Sequence, residues 1–296
     1  YLYNALQSRI NSIDLNRLFR LLLKNPILVL ISVVFMPLNW LLETYKWNRL
    51  ITIIQQFSLW KSFKIVLASL SFSLITPNRV GDFAVRLVLI KKQHRWLGAY
   101  ASFLSSFAQL SITIILGLVF FGVHINSFVV VAEDIRLVLE LVCYILPLII
   151  LILYIKSNSI KALFYKLNKE VSKNSTVLEM INSLRNRIIT LLLSLVRYLV
   201  LFLQFLLLAL AFGENLGYEL VSSISIIFLF TTVIPTSWLS EIAVRAGVSF
   251  YVFETFNLDP MIGLSCSICL WLINIFLPAI FGLVLLNRMN RKKNLK

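Results

Sequence analysis

LGAYASFLSSFAQLSITIILGLVFFGV, residues 97–123, carries no charged side chain. As a helix rising about 1.5 Å per residue it would be ~40 Å long, more than the roughly 30 Å hydrocarbon core of a bilayer. A second uncharged run, MIGLSCSICLWLINIFLPAIFGLVLL at 261–286, does the same. Over the 296 residues, 59% are hydrophobic and 14% charged, and the mean hydropathy is +0.88. A soluble domain cannot bury that much apolar side chain. The class is therefore an all-α polytopic membrane protein, read as one integral-membrane helical bundle over residues 1–296.

Working outward, 26–43, 137–155 and 188–212 are further spans, and three shorter apolar pieces lie at 62–76, 219–235 and 242–256. A 15-residue helix reaches only ~23 Å, too short to cross comfortably. Loop charge orders these pieces. Residues 44–64 and 79–95 each sum to +4, and 156–187 and 288–296 each to +5. By contrast, 124–136 sums to −1, and 213–219 and 254–260 each to −2. Basic loops stay cytoplasmic. On that rule a hairpin at 62–92 enters from the cytoplasmic face and turns near Pro77, and another at 219–256 enters from the opposite face and turns near Pro235. Residues 1–25, at +3, then lie outside against the rule. The competing topology puts them inside, makes 26–43 and 62–76 ordinary spans, and moves 44–64 out. The hairpins are preferred.

The net charge of +15 belongs with the cytoplasmic loops, including the connector 156–187 and the tail 287–296. No nucleic-acid-binding module accompanies it. Cys143, Cys266 and Cys269 sit in apolar segments, and CSIC (266–269) reads as small-residue helix packing rather than a metal or redox motif. The chain begins at Tyr1 rather than Met, so a preceding N-terminal piece is expected.

SLITPNRVGDFAVRLVLI (73–90) and FTTVIPTSWLSEIAVRAGVSFYVF (230–253) repeat one pattern: a proline, a polar turn, then acid, apolar, Ala, Val, Arg. Asp82 and Arg86 in one copy match Glu241 and Arg245 in the other. Proline keeps the preceding residue out of the helix, so Pro77 and Pro235 are breaks, with Gly81 at the first restart. Acid and arginine at i and i+4 share a helix face and can pair. An internal, inverted repeat is expected from the pattern.

TPNRVGDFAVR, IPTSWLSEIAVRAGVSFY and NWLLETYKW (39–47) together resemble the lysylphosphatidylglycerol synthase transmembrane family, also called the flippase-like domain family. The resemblance implies an integral-membrane domain, of the bacterial cytoplasmic membrane, that moves phospholipids or lipid-linked molecules between leaflets. In the multiple peptide resistance factor such a domain precedes a soluble one that aminoacylates phosphatidylglycerol. Here only ten residues follow the last span, so no synthase activity is expected. Asp82 stands where the family has glutamate, and a leading transmembrane helix is expected to be missing.

The candidate headgroup site comprises Arg79, Asp82, Arg86, Glu241, Arg245, Arg197, Asn39, Glu43 and Lys46. Ionisable groups inside a membrane are costly and either pair or face water, so the acid–arginine pairs are either a shared site or structural pairing. Arg79 suits a lipid phosphate or snorkels to the interface. Asn39, Glu43 and Lys46 follow i, i+4, i+7 on one face, with Trp40 and Trp47 on a neighbouring face as interface anchors. Arg197 lies near mid-bilayer with Gln204 two turns on, and Glu140 or Glu241 could pair with it. His94, His124 and Glu140 read as surface groups. No metal or cofactor motif is present, and none is expected. Expected partners are membrane lipids, chiefly an anionic phospholipid, and a partner enzyme of lipid or envelope biosynthesis. The alternative is a membrane-embedded transferase using Glu43, Asp82 or Glu241 as base.

Overall fold

The computed structural model describes residues 25–74, 76, 80–129, 132–156, 175–236 and 238–294, without the side chains of 80, 238, 239 and 286–294. Pro77, Asn78, Arg79 and most of the 156–187 connector lie outside the described residues. Among those described there is no strand. The helices are α1 (Pro26–Ile51), α2 (Leu59–Ser73), α3 (Val80–Val88), α4 (Arg95–Val123), α5 (Ile125–Phe128), α6 (Glu133–Ile155), α7 (Ser175–Ile181), α8 (Leu184–Phe212), α9 (Tyr218–Val233), α10 (Trp238–Thr255), α11 (Pro260–Trp271) and α12 (Leu277–Asn294). A π-turn over Leu272–Phe276 joins the last two. Among the described residues, five continuous stretches are long and apolar enough to span a bilayer: α1, Lys92–Val123, α6, α8 and Pro260–Leu285.

Local chemistry sets the ends. Ser58 and Ser183 cap α2 and α8 by accepting from Lys61 and Asn186 N–H groups, and Asp259 caps α11 ahead of Pro260. Gly213, at φ 104°, ends α8 in the left-handed region that glycine tolerates. Pro278 has no N–H to give the carbonyl four residues back, and the π-turn falls there. The freed Asn274 carbonyl accepts the Trp40 indole N–H at 3.0 Å.

Contacts between helix ends define two poles. At one, Arg49 donates to Asn186 (3.3 Å), the Lys91 N–H to Gln55 (3.2 Å) and Tyr100 to Asn182 (2.6 Å). This pole gathers the basic loops. At the other, His124 bonds Ser222 at 3.1 Å and packs on Tyr218 and Phe256, and the Asp259 N–H donates to Glu214 at 2.8 Å. This pole gathers the acidic loops. Both outer ends of the α2–α3 pair meet the basic pole, and both outer ends of the α9–α10 pair meet the acidic one. Each pair packs on itself, so α2–α3 and α9–α10 form two broken hairpins that enter from opposite poles.

Close backbone approach seats the first hairpin. A Cβ on Gly81 would lie 2.6 Å from the Phe72 carbonyl oxygen, and one on Gly282 would overlap the Leu67 carbonyl. Glycine at these positions lets α3 fold back on α2 and α2 lie against α12, where Ser71 donates to the Ala279 carbonyl at 2.6 Å.

Several expectations need correction. Helix α1 does not end at residue 43 but runs on to Ile51, so Lys46 is no loop charge; it is 1% exposed. Trp47 is not an interface anchor. It is fully buried, donating to Ser102 at 3.0 Å, and Trp40 is buried beside it. His124 is half-buried in an aromatic nest rather than a surface group.

Candidate functional site

Asn39, Glu43 and Lys46 lie on one face of α1, as their spacing requires, and all three are buried. Glu43 is the hub. Lys46 Nζ sits 2.9 Å from its Oε2, and Arg197 Nη1, from α8, 3.1 Å from the same oxygen. Arg86, from α3, donates Nη1 and Nη2 to Oε1 at 3.2 and 3.3 Å. Its Nε donates to Asp82 Oδ1 at 3.0 Å and to Ser69 Oγ at 3.3 Å, and the Ser69 hydroxyl itself donates to Asp82. Arg197 Nε donates to Asn39 Oδ1 at 2.9 Å, and Asn39 donates in turn to Asn274 Oδ1 at 2.9 Å. Lys46 also reaches Ser194 Oγ at 3.3 Å. The Arg86 guanidinium stands over the Trp47 ring at 5.7 Å and that of Arg197 over Trp40 at 5.5 Å, within cation–π range.

Among the described residues, three cations thus meet two carboxylates, a local charge of +1 in a low-dielectric interior. Each ion has several partners, which is the condition for tolerating buried charge.

Two adjoining cavities open from the cluster. The first, about 260 Å³, is bounded by Glu43, Lys46, Asp82, Arg86 and Arg197, and by Thr232 from the tip of α9. The second, about 200 Å³, is bounded by Asn39, Arg197, Arg245 and Asn274. Arg245 Nε pairs with Glu241 Oε1 at 3.0 Å, the same i, i+4 geometry as Arg86 with Asp82. Among the described residues, Arg197 is the one charged side chain on both cavity walls. It lies about 20 Å along α8 from either end, near mid-membrane.

A family model described as "Lysylphosphatidylglycerol synthase TM region" matches residues 5–282. The chain belongs to the lysylphosphatidylglycerol synthase transmembrane family. The matched range holds the hub and both hairpins. Comparison with curated proteins and with solved structures gives no significant match.

In this member of the family, the structure brings Asn39, Glu43, Lys46, Asp82, Arg86 and Arg197 into one network and puts Arg245 and Glu241 beside it. Arg197 takes Glu43 as partner, and Glu140 instead faces Arg136 at 3.6 Å. Gln204 donates to the Ser32 carbonyl at 2.7 Å, away from the cluster. Gly81 is the close-packing residue of the first turn, and Pro235 lies exposed in the second. Pro77 and Arg79 fall outside the described residues. Sequence reasoning missed Ser69, Gln109 and Asn274. Signals existed for two: Gln109 belongs to a polar stripe with Ser102, Ser105, Ser106 and Thr113 on an otherwise apolar span, and Asn274 precedes Pro278 by four residues.

Proposed function

We propose that this chain moves an anionic phospholipid or lipid-linked molecule between the leaflets of the bacterial cytoplasmic membrane, with its basic pole and C-terminus cytoplasmic. One observation carries the reading: a buried mid-membrane cluster in which, among the described residues, three cations meet two carboxylates, with Asp82 and Arg86 of the first hairpin inside it and Thr232 of the second on the wall of its cavity. A phosphate drawn to Arg86, Lys46 and Arg197 competes with Glu43 and Asp82 for the same donors. That competition suits a transporter, which must release what it binds. The first cavity also reaches Leu110 and Thr232, both exposed on the bundle surface, so a headgroup can sit inside with its acyl chains in the bilayer. The two hairpins act as halves of an inverted repeat, one serving each leaflet. A partner enzyme of lipid or envelope biosynthesis would supply or consume the lipid.

The transferase alternative draws less support. Glu43, Asp82 and Glu241 are each tied to a cation, which leaves no carboxylate poised for a substrate proton. Proteoliposomes separate the readings. Labelled anionic phospholipid should cross in a protein-dependent way, and Arg197→Gln should slow it at least tenfold. A donor-dependent change in lipid mass without transport would replace transport by group transfer.

A further inference from the structure

The last span, Pro260–Leu285, is one stretch in two halves, and each half packs on a different hairpin. The first half, α11, lies against α10 of the second hairpin. There the Ser249 and Ser267 hydroxyls bond, and a Cβ on Gly263 would lie 2.8 Å from the Ser249 carbonyl oxygen. The second half, α12, lies against α2 of the first hairpin, through Ser71 and the close approach at Gly282. The π-turn over Leu272–Phe276 is the joint, and Asn274 is its middle residue.

Asn274 holds two groups that touch Arg197. Its carbonyl, left open by Pro278, accepts the Trp40 indole N–H at 3.0 Å, and the Arg197 guanidinium stands over that ring. Its Oδ1 accepts from Asn39 Nδ2, and Asn39 Oδ1 accepts from Arg197 Nε, both at 2.9 Å. Chemistry sets the direction of this relay. A guanidinium only donates, so Asn39 turns its oxygen to Arg197 and its amide nitrogen to Asn274. Asn274 must then present its oxygen, and its own amide nitrogen donates to the Leu270 carbonyl at 3.3 Å. The relay thus starts on the backbone beside the joint and ends on the arginine that borders both cavities. Helices often carry such π-turns at functional sites. We infer that Asn274 is a positioning residue: through Asn39 it sets the plane of the Arg197 guanidinium, and the π-turn ties that plane to both hairpins. This rests on Arg197 handling an anionic headgroup.

Two measurements on the full chain test it. In micelle unfolding, Asn274→Leu and Arg197→Gln alter the two ends of the relay. They should couple by on the order of fivefold in the unfolding constant, and by at most about twofold once Asn39→Leu cuts the middle. In proteoliposomes with labelled phosphatidylglycerol as probe, Asn274→Leu and Asn39→Leu should each slow transport about tenfold, as loss of a hydrogen bond to a charged group does. The double variant should be no more than about twofold slower than either. Pro278→Ala keeps every hub side chain but offers the Asn274 carbonyl a backbone N–H in place of the indole. It should slow transport at least about threefold while the melting temperature stays at or above the parent's, which a purely structural joint would not do; it also decides the matter if Asn274→Leu fails to fold. Additive losses in either pair, or parent-like transport by Pro278→Ala, overturn the positioning role and leave the arginine site standing. If the parent moves no phosphatidylglycerol, or Arg197→Gln moves it as fast as the parent, the transport reading falls and the positioning role with it.

Discussion

Replacing Glu43 with glutamine keeps the side chain's volume and removes the charge that Lys46, Arg86 and Arg197 share at 2.9, 3.2 and 3.1 Å. At an effective dielectric constant near 20, each close pair contributes about 4 kcal/mol of attraction, so about 12 kcal/mol of gross Coulomb energy disappears. The variant no longer desolvates a carboxylate, which returns several kcal/mol. Asp82 still holds Arg86. The net destabilisation should be about 3–5 kcal/mol, the usual cost of breaking a buried ion pair from one side. Denaturant unfolding in mixed micelles measures it, with tryptophan emission as the signal because Trp40 and Trp47 lie against the hub. The double variant Glu43→Gln/Lys46→Met restores the cation excess to one and should recover at least half of the loss. A Glu43→Gln protein within about 0.5 kcal/mol of the parent would refute the reasoning. So would additive losses for Glu43→Gln and Lys46→Met, which would mean that the two charges do not couple.

The acid–arginine pair of the first hairpin should respond asymmetrically. Asp82→Asn frees Arg86 for phosphate and should tighten anionic-lipid binding while slowing transport, whereas Arg86→Gln should weaken binding; equal losses in both would make the pair a strut. Single cysteines in a cysteine-free background test the hairpins. Gln56→Cys and Gln93→Cys should label from one side of the membrane and Asn215→Cys and Asn257→Cys from the other, and labelling of Gln56 and Gln93 from opposite sides would end the first hairpin. His124 supplies a pH test at the acidic pole. Burial lowers its pKa below 6.5 and the Glu219 carboxylate only partly opposes this, so the folded state binds fewer protons than the unfolded one. Its stabilising contribution is present above about pH 6.5 and is lost as the pH falls below it; the melting temperature of the parent should drop relative to His124→Gln between pH 7.5 and 5.5, and a constant difference would refute it.

Uncharged runs such as 97–123 made the membrane class legible, because a bilayer demands length and apolarity that nothing else does. The hairpins were legible through two independent signals, segments too short to cross and loops of opposite charge. The hub was legible only in pieces. Spacing put Asn39, Glu43 and Lys46 on one face, and the repeated motif paired Asp82 with Arg86, yet nothing local says that Glu43 is the counter-ion of Arg86 and Arg197, 43 and 154 positions away. That convergence depends on how α1, α3 and α8 pack. Lys46 misled for the same reason: loop-charge counting treats every lysine near a segment end as solvated, and this one is consumed inside. Trp40 and Trp47 look like interface anchors by residue type, but an aromatic face beside a buried guanidinium serves a different purpose from one beside a headgroup.

The asymmetry of the two cavities bears on how an anion could pass mid-membrane at all. A bare negative charge leaving one set of cations before reaching another would stand unpaired in low dielectric, at a cost from about 2.5 to more than 10 kcal/mol. On the proposed reading, Arg197 removes that gap. It borders the first cavity with Arg86 and Lys46 and the second with Arg245, so a headgroup shifting between them keeps one guanidinium contact throughout. Its own anchors, Glu43 on one side and Asn39 on the other, are themselves split between an ion and a neutral amide. Trading the first for a phosphate leaves the second in place and the guanidinium plane oriented. On the proposed reading, the arginine buried in the middle of α8 is the handover point between leaflets, and the two hairpins supply the sites on either side of it.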